Sequence, residues 1–262
     1  MNGKSSHFAP RLIYLHDLVH ELVVRDIKLM YKGSVLGIAW TLIYPLLLLL
    51  VFQLIFGLVF SPGVPHYASF VFIGILIWSW FQMSLIQSAG SILSSRDLIK
   101  HPGFPSQLLP VVMVTTHMTY FLLALPILLV FLTFFGPGLG RAIVALPLII
   151  VLQFVLTLSL AYLIATVCVF FRDTQQILTV VLQLVFFLSP VFYSVHIIPD
   201  TYQLLYQLNP MVHLLSSYRG ILLKGEFPDF ISTFIFGSFS TGLLYFSYRM
   251  FVRVNYRFAE EI

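Results

Sequence analysis

Apolar residues along the chain gather into six long runs, at roughly 36–60, 67–90, 107–135, 142–170, 176–195 and 230–250. About 20 apolar residues carry a helix across a bilayer, so each run predicts a transmembrane span. Turn signals separate them: "SPGVPH", "SSRDLIKHPGFP", "GPGLGR" and "FRDTQQ". Pro45, Pro126 and Pro147 fall inside runs. Membrane helices tolerate this because their neighbours re-satisfy the freed backbone groups. Two segments follow a different pattern. From Tyr14 to Gly33, apolar Leu15, Leu18, Val19, Leu22, Val23, Ile27 and Met30 recur at helical spacing with charges between them. That predicts an amphipathic helix over 14–33, lying in the membrane interface or packed on a partner. From Asp200 to Phe227, two apolar pieces too short to span flank Asn209-Pro210. Proline disfavours helical geometry at the residue before it, so two short re-entrant helices are expected within 197–228, lining the exit side.

Composition and charge then fix the class. The chain is 59% hydrophobic and 9% charged, with mean hydropathy +0.97, whereas a soluble domain carries about 25% charged residues. The chain is therefore expected to be an all-α polytopic membrane protein, one domain over 1–262. With the N-terminus inside, eleven of the 14 Lys and Arg fall on the cytoplasmic side. Only Arg141, Arg219 and Lys224 fall outside. Six spans with both termini cytoplasmic satisfy this bias. The net charge of +4 is spread along the membrane edges and is no nucleic-acid footprint. Arg11, Asp17, Glu21, Arg25, Asp26 and Lys28 interrupt the first 30 residues, so no secretory signal peptide is expected. Cys168 is the one cysteine, which excludes an internal disulfide and any cysteine-based metal site.

The chain carries no engine of its own. GxxxxGK[ST] is absent, and "GKS" at Gly3–Ser5 lacks the upstream glycine. His16 and His20 are four apart but have no third ligand on that face. Away from their ends the spans hold His117 and the glutamines Gln53, Gln82, Gln87, Gln153 and Gln183, but no acid or other base. Ion-coupled carriers place ionisable groups there to partner the coupling ion, so uphill transport would need energy from another chain.

Four ordered stretches carry a family resemblance. They are "RDIKLMYKGSVLGIAWTLIYPLLLLLVF" (25–52), "LIKHPGFPSQLLP" (98–110), "FRDTQQIL" (171–178) and "SPVFYSVHIIP" with "LNPMVHLLSSYRGILL" (189–199 and 208–223). Together they resemble the membrane subunits of ABC-2-type exporters, in the branch that exports O-antigen, capsule or teichoic acid. The resemblance implies a six-spanning, homodimeric permease of the inner membrane that is not itself an enzyme. It implies two copies of a separate ATPase carrying the ATP and magnesium, no cofactor on this chain, and a lipid-linked polysaccharide as substrate. The segment 94–107 would be the cytoplasmic coupling helix.

Prolines at 102, 105 and 110 stiffen that segment, so displacement there is transmitted rather than absorbed. Leu98, Ile99 and Phe104 are expected to fill a groove on the ATPase beside Pro105, with Arg96 and Lys100 against an acidic rim. Arg172 and Asp173 offer a second contact. Aromatics make up 16% of the chain. Their faces suit sugar C–H surfaces, and tyrosine hydroxyls suit sugar rims. Trp40, Tyr44, Phe52, Phe56 and Phe60 step at fours along the first span. Phe186, Phe187, Phe192, Tyr193, Tyr202, Tyr206 and Tyr218 lead from the fifth span into the re-entrant unit. These are the candidate channel lining. A drug or lipid exporter of the same architecture, and a non-transporting scaffold, are the competing readings.

Overall fold

The computed structural model describes residues 8–52, 54–55, 65–101, 103–195 and 198–257, and among them it is helical with no strand. The elements are α1 (Phe8–Met30), α2 (Trp40–Phe52), α3 (Tyr67–Ser94), α4 (Arg96–Ile99) and α5 (Leu108–Phe135). They continue with α6 (Leu146–Phe170), α7 (Thr174–Leu188), α8 (Asp200–Gln207), α9 (Pro210–Arg219) and α10 (Phe230–Val254).

Four of the six expected spans are helices long and apolar enough to cross a bilayer: α3, α5, α6 with the preceding turn from Arg141, and α10. Their ends fall within a few residues of the hydropathy runs, because the same prolines and glycines that end a run end a helix. Gly136 closes α5, and Pro147 occupies the first turn of α6, where its missing N–H costs nothing. The other two runs differ. The first is helical as α2 over 13 residues, and its remainder is largely outside the described residues. The fifth ends as a helix at Leu188 after 15 residues. That is about 22 Å of helix against a hydrocarbon core of roughly 30 Å, and the chain continues in non-helical form through 189–191.

α3 is the centre of the bundle, touching α2, α5, α6, α7 and α9. It is buried nearly all round, with Val71, Ile73, Ile75 and Ile77 at 1% exposure or less. Inside a membrane, helices gain little from hiding apolar surface, so close packing and interhelical hydrogen bonds must hold them. Accordingly α3 carries small buried residues, Ser69, Gly74, Ser84, Ser88, Ala89 and Ser91. Gln153 of α6 donates to the Ile77 carbonyl of α3 at 3.1 Å. Ser84 and Thr157 bond back to the carbonyls of Trp80 and Gln153 on their own helices, so these hydroxyls need no neighbour.

Contacts fix the direction of each helix. Ser69 at the start of α3 bonds the Phe135 carbonyl at the end of α5. Tyr162, late in α6, bonds the Gln107 carbonyl just before α5. Ser106 bonds Asn255 beyond the end of α10. α3, α6 and α10 therefore end, and α5 begins, on one side of the bundle, leaving an α4 end and an α9 end. The outward faces of α5, α7 and α10 present Val130, Phe134, Val180, Leu184, Phe234 and Phe246, an apolar coat suited to lipid.

The amphipathic helix is present as α1 and starts earlier than expected, at Phe8. Its apolar stripe does not stand alone. Leu22 and Val23 are buried against Val112 of α5, with Leu18, Val19 and Ile27 packed around them. The two short helices expected between the fifth and sixth runs are present as α8 and α9, broken where expected. Asn209 is extended, and its side chain accepts from the Met211 N–H at 3.0 Å, capping α9.

Candidate functional site

At the α4 end, the stiffened segment has two faces. Arg96, Asp97, Lys100 and His101 are exposed. Leu98 and Phe104 instead turn inward onto the α1 stripe, beside Met113, while Ile99 packs on the main core. Leu98, Ile99 and Phe104, expected to fill a partner's groove, are half-buried and already have apolar neighbours within the chain. An amphipathic helix alongside supplies the apolar surface they need. The far side of the segment is tied down by the Ser106–Asn255 and Tyr162–Gln107 bonds. Pro105 is half-buried and Pro102 is outside the described residues. Arg172 and Asp173 are exposed in the turn between α6 and α7. The Gln175 side chain beside them reaches Gly90 near the end of α3, so this turn shares the α4 end with the first segment.

The aromatic candidates separate into groups. Phe186, Phe187, Phe192 and Tyr193 form one cluster with ring centroids 5.1 to 6.0 Å apart. Trp78 of α3 joins it through Phe186 at 5.6 Å. Tyr206 donates to the Tyr193 hydroxyl at 2.9 Å, and Tyr193 to the Phe187 carbonyl at 3.1 Å. The Tyr67 hydroxyl holds the Phe192 carbonyl at 3.0 Å. Tyr202 is 59% exposed on α8. Trp40 and Tyr44 are exposed on α2. The Phe52 side chain, Phe56 and Phe60 lie outside the described residues. Tyr218 is corrected: it is fully buried, edge-on to Phe121 at 6.2 Å, and belongs to the core rather than to a channel wall.

Charge counting places Arg219 on the outer side, within the segment 197–228. It is 7% exposed. Its guanidinium donates to the carbonyls of Pro190, Val191 and Phe70, the last two at 2.7 and 3.1 Å. It also lies 3.3 Å from the Phe70 ring centroid, a cation–π contact. No carboxylate pairs with it among the described residues. The Pro190 and Val191 carbonyls are free because the chain leaves helical geometry at 189–191, and the planar fork of the guanidinium reaches them together with the Phe70 carbonyl of α3. Gly74 makes room. A Cβ there would lie 2.5 Å from the Val191 oxygen and 2.8 Å from the Arg219 guanidinium. Thus one cation joins the break after α7, the end of α9 and the second turn of α3. The sequence signal was a lone arginine following an Asn-Pro helix start and facing an apolar segment.

Two cavities stand out among the described residues. One of about 350 Å³ lies at the α9 end, lined by His213, Ser216, Glu226, Asp229 and Thr233 among others. Asp229 caps α10 by accepting from the Ser232 N–H at 2.8 Å, and this bond holds its carboxyl below the usual carboxylate range. The other, about 510 Å³, lies where α2, α3 and α5 meet the end of α1. Among the described residues, no group of His, Cys, Asp or Glu is arranged to hold a metal.

Comparison with known proteins agrees with this architecture. Residues 17–223 match the family model for ABC-2 type transporters. The chain is 36% identical over 247 residues to the O-antigen export system permease protein RfbA of Myxococcus xanthus, covering 94% of this chain and 95% of that one. It is 30% identical over 250 residues to a Klebsiella pneumoniae protein of the same name, with the same coverage. It is 23% identical over 219 residues to the polysialic acid transport protein KpsM of Escherichia coli, covering 82% and 84%. A helical bundle with an apolar coat, matched along most of its length by such relatives, belongs to the ABC-2 type transporter family.

Proposed function

We propose that this chain is the membrane-spanning permease of an ATP-driven exporter that moves a lipid-linked, O-antigen-like polysaccharide out of the cytoplasm. The observation that carries this reading is the 36% identity to an O-antigen export permease along 94% of the chain. Long spans free of acidic and lysine or arginine side chains away from their ends agree with it, because an ion-coupled carrier needs such groups. In this reading the chain is not an enzyme and holds no cofactor. Two copies assemble with two ATPase subunits, which bind the ATP and magnesium. Six spans, counting α2 and α7, leave both termini in the cytoplasm of the inner membrane.

The work enters at the α4 end. Arg96 and Lys100, with Arg172 and Asp173, meet the ATPase. Leu98, Ile99 and Phe104 act as the joint between that contact and the bundle, since they are packed on α1 and the core, and Pro105 stiffens the chain beside them. Movement of the segment therefore moves α1 and the start of α5 with it. The polymer advances along aromatic faces, with Phe186, Phe187, Phe192, Tyr193, Tyr202 and Tyr206 on one stretch and Trp40 and Tyr44, continued by Phe52, Phe56 and Phe60, on the other. Such contacts are weak and repeated, so sugar units slide instead of lodging.

Deleting the gene is expected to leave undecorated cells with polymer accumulated in the cytoplasm, and a plasmid copy should restore export. Unchanged envelope polymer with raised drug sensitivity would transfer the chain to the drug- or lipid-exporting reading. An epitope inserted at 101–103 that reacts on the outside of intact cells would overturn the drive from the cytoplasm.

A further inference from the structure

The 510 Å³ cavity beside α2 falls within the roughly 300–1,000 Å³ typical of small-molecule sites. Its chemistry is specific. Trp40 and Tyr44 form the outer lip at 48% and 59% exposure. Trp80 lies behind them, stacked on Phe121 at 5.1 Å. Ser79, Gln82 and His117 share the wall with the tyrosines Tyr31 and Tyr120. The Gln82 carbonyl oxygen accepts from the Trp78 indole at 2.8 Å, which turns its amide NH₂ away as a remaining donor.

His117 is the decisive residue. It is 5% exposed and edge-on to Tyr120 at 5.6 Å. A histidine buried in a membrane helix is expected to bond a neighbouring helix. Among the described residues His117 forms no such bond; its ring nitrogens are not sealed in the core, and the residue lines the cavity. Ring nitrogens that open onto the cavity can take a hydrogen-bonding partner placed inside it. A neutral imidazole offers one donor and one acceptor, which matches a hydroxyl pair.

We propose that this cavity is a binding subsite for a single neutral sugar ring, with His117 and Gln82 reading its hydroxyls and Trp40, Tyr44 and Trp80 covering its C–H faces. No formally charged side chain lines the cavity, so a phosphate or diphosphate group has no partner there. A prenyl or acyl chain would leave His117, Gln82 and Ser79 unsatisfied. The proposal rests on the polysaccharide reading for the origin of the sugar but is tested on the protein directly.

Two of the three tryptophans line the cavity, so intrinsic fluorescence reports on it. The full-length permease with its ATPase, in lipid nanodiscs, is titrated with octyl β-glucoside below its micelle concentration, and separately with octanol and octyl phosphate. Octyl glucoside is expected to shift the emission saturably, with octanol and octyl phosphate much weaker. His117→Phe should weaken glucoside binding about five- to tenfold, one hydrogen-bonded partner's share, while His117→Asn retains most of it. Gln82→Leu serves as an independent variant if His117→Phe does not assemble. Equal responses to octanol and glucoside would make the cavity an apolar-chain site and overturn the proposal. So would unchanged glucoside affinity in His117→Phe or Gln82→Leu. Because binding is read without export, a failed polymer-accumulation test would refute the export reading and leave this result standing.

Discussion

Replacing Arg219 tests whether one buried cation holds the α9 end together. The guanidinium makes three charge-assisted bonds to carbonyls, each worth about 1.5–3 kcal/mol, or roughly 4–9 kcal/mol gross. Against this stands the cost of keeping a charge out of water, several kcal/mol per ion even after relaxation. Arg219→Met removes both. The Pro190 and Val191 carbonyls lose their donor and the Phe70 carbonyl loses its second one, while the desolvation cost disappears, giving a net loss of about 2–4 kcal/mol. Arg219→Lys keeps the charge and most of its desolvation cost. A point-like ammonium lacks the fork that reaches Phe70 on one side and Pro190 and Val191 on the other. Lysine should therefore be no better than methionine here, about 3–5 kcal/mol below wild type. The assay is thermal unfolding of the purified permease in nanodiscs, combined with protease cleavage within 189–209. Both variants should unfold earlier and be cut faster, with Arg219→Lys at least as impaired as Arg219→Met. A lysine variant as stable and as protease-resistant as wild type would refute the carbonyl clamp, because charge alone would then suffice.

Gly74→Ala drives a Cβ to 2.5 Å from the Val191 oxygen and should mimic the Arg219 variants. Gly90→Ala meets only the end of the Gln175 side chain at 3.4 Å and should be tolerated. Comparing the unfolding of both separates close backbone approach from general helix packing. Reversing Arg96 and Lys100 to Glu, both exposed, should reduce co-purification of the ATPase several-fold and leave membrane insertion intact. Leu98→Ala should instead loosen α1, read as faster protease cleavage within 14–33. Asp229 has a carboxyl held below its ordinary value by the Ser232 N–H, so its cap is fully present above the usual carboxylate range and fades as pH falls through the lowered value. Hydrogen exchange at Ser232 should show that acid dependence in the wild type and lose it in Asp229→Asn.

Hydropathy determined the class, the four long spans, the break at Asn209 and the amphipathic α1. Each of these is a property of consecutive residues: apolar length, helical period, or a proline beside an Asn cap. It misjudged where side chains point. Leu98 and Phe104 read as apolar plugs, and nothing local reveals that α1 packs beside them. Tyr218 read as a wall, although only the approach of Phe121 from α5 shows it sealed. In a lipid-soluble chain most positions are apolar whether they face lipid, a neighbour or a cavity, so pattern alone cannot separate those three environments. The tertiary structure also decided the roles of the two polar outliers. Arg219 finds a partner carbonyl 149 residues away at Phe70, and His117 opens onto a cavity made by four different helices. Those pairings follow from how the helices are stacked, because the carbonyls and the void that give each side chain its task exist only after distant segments meet.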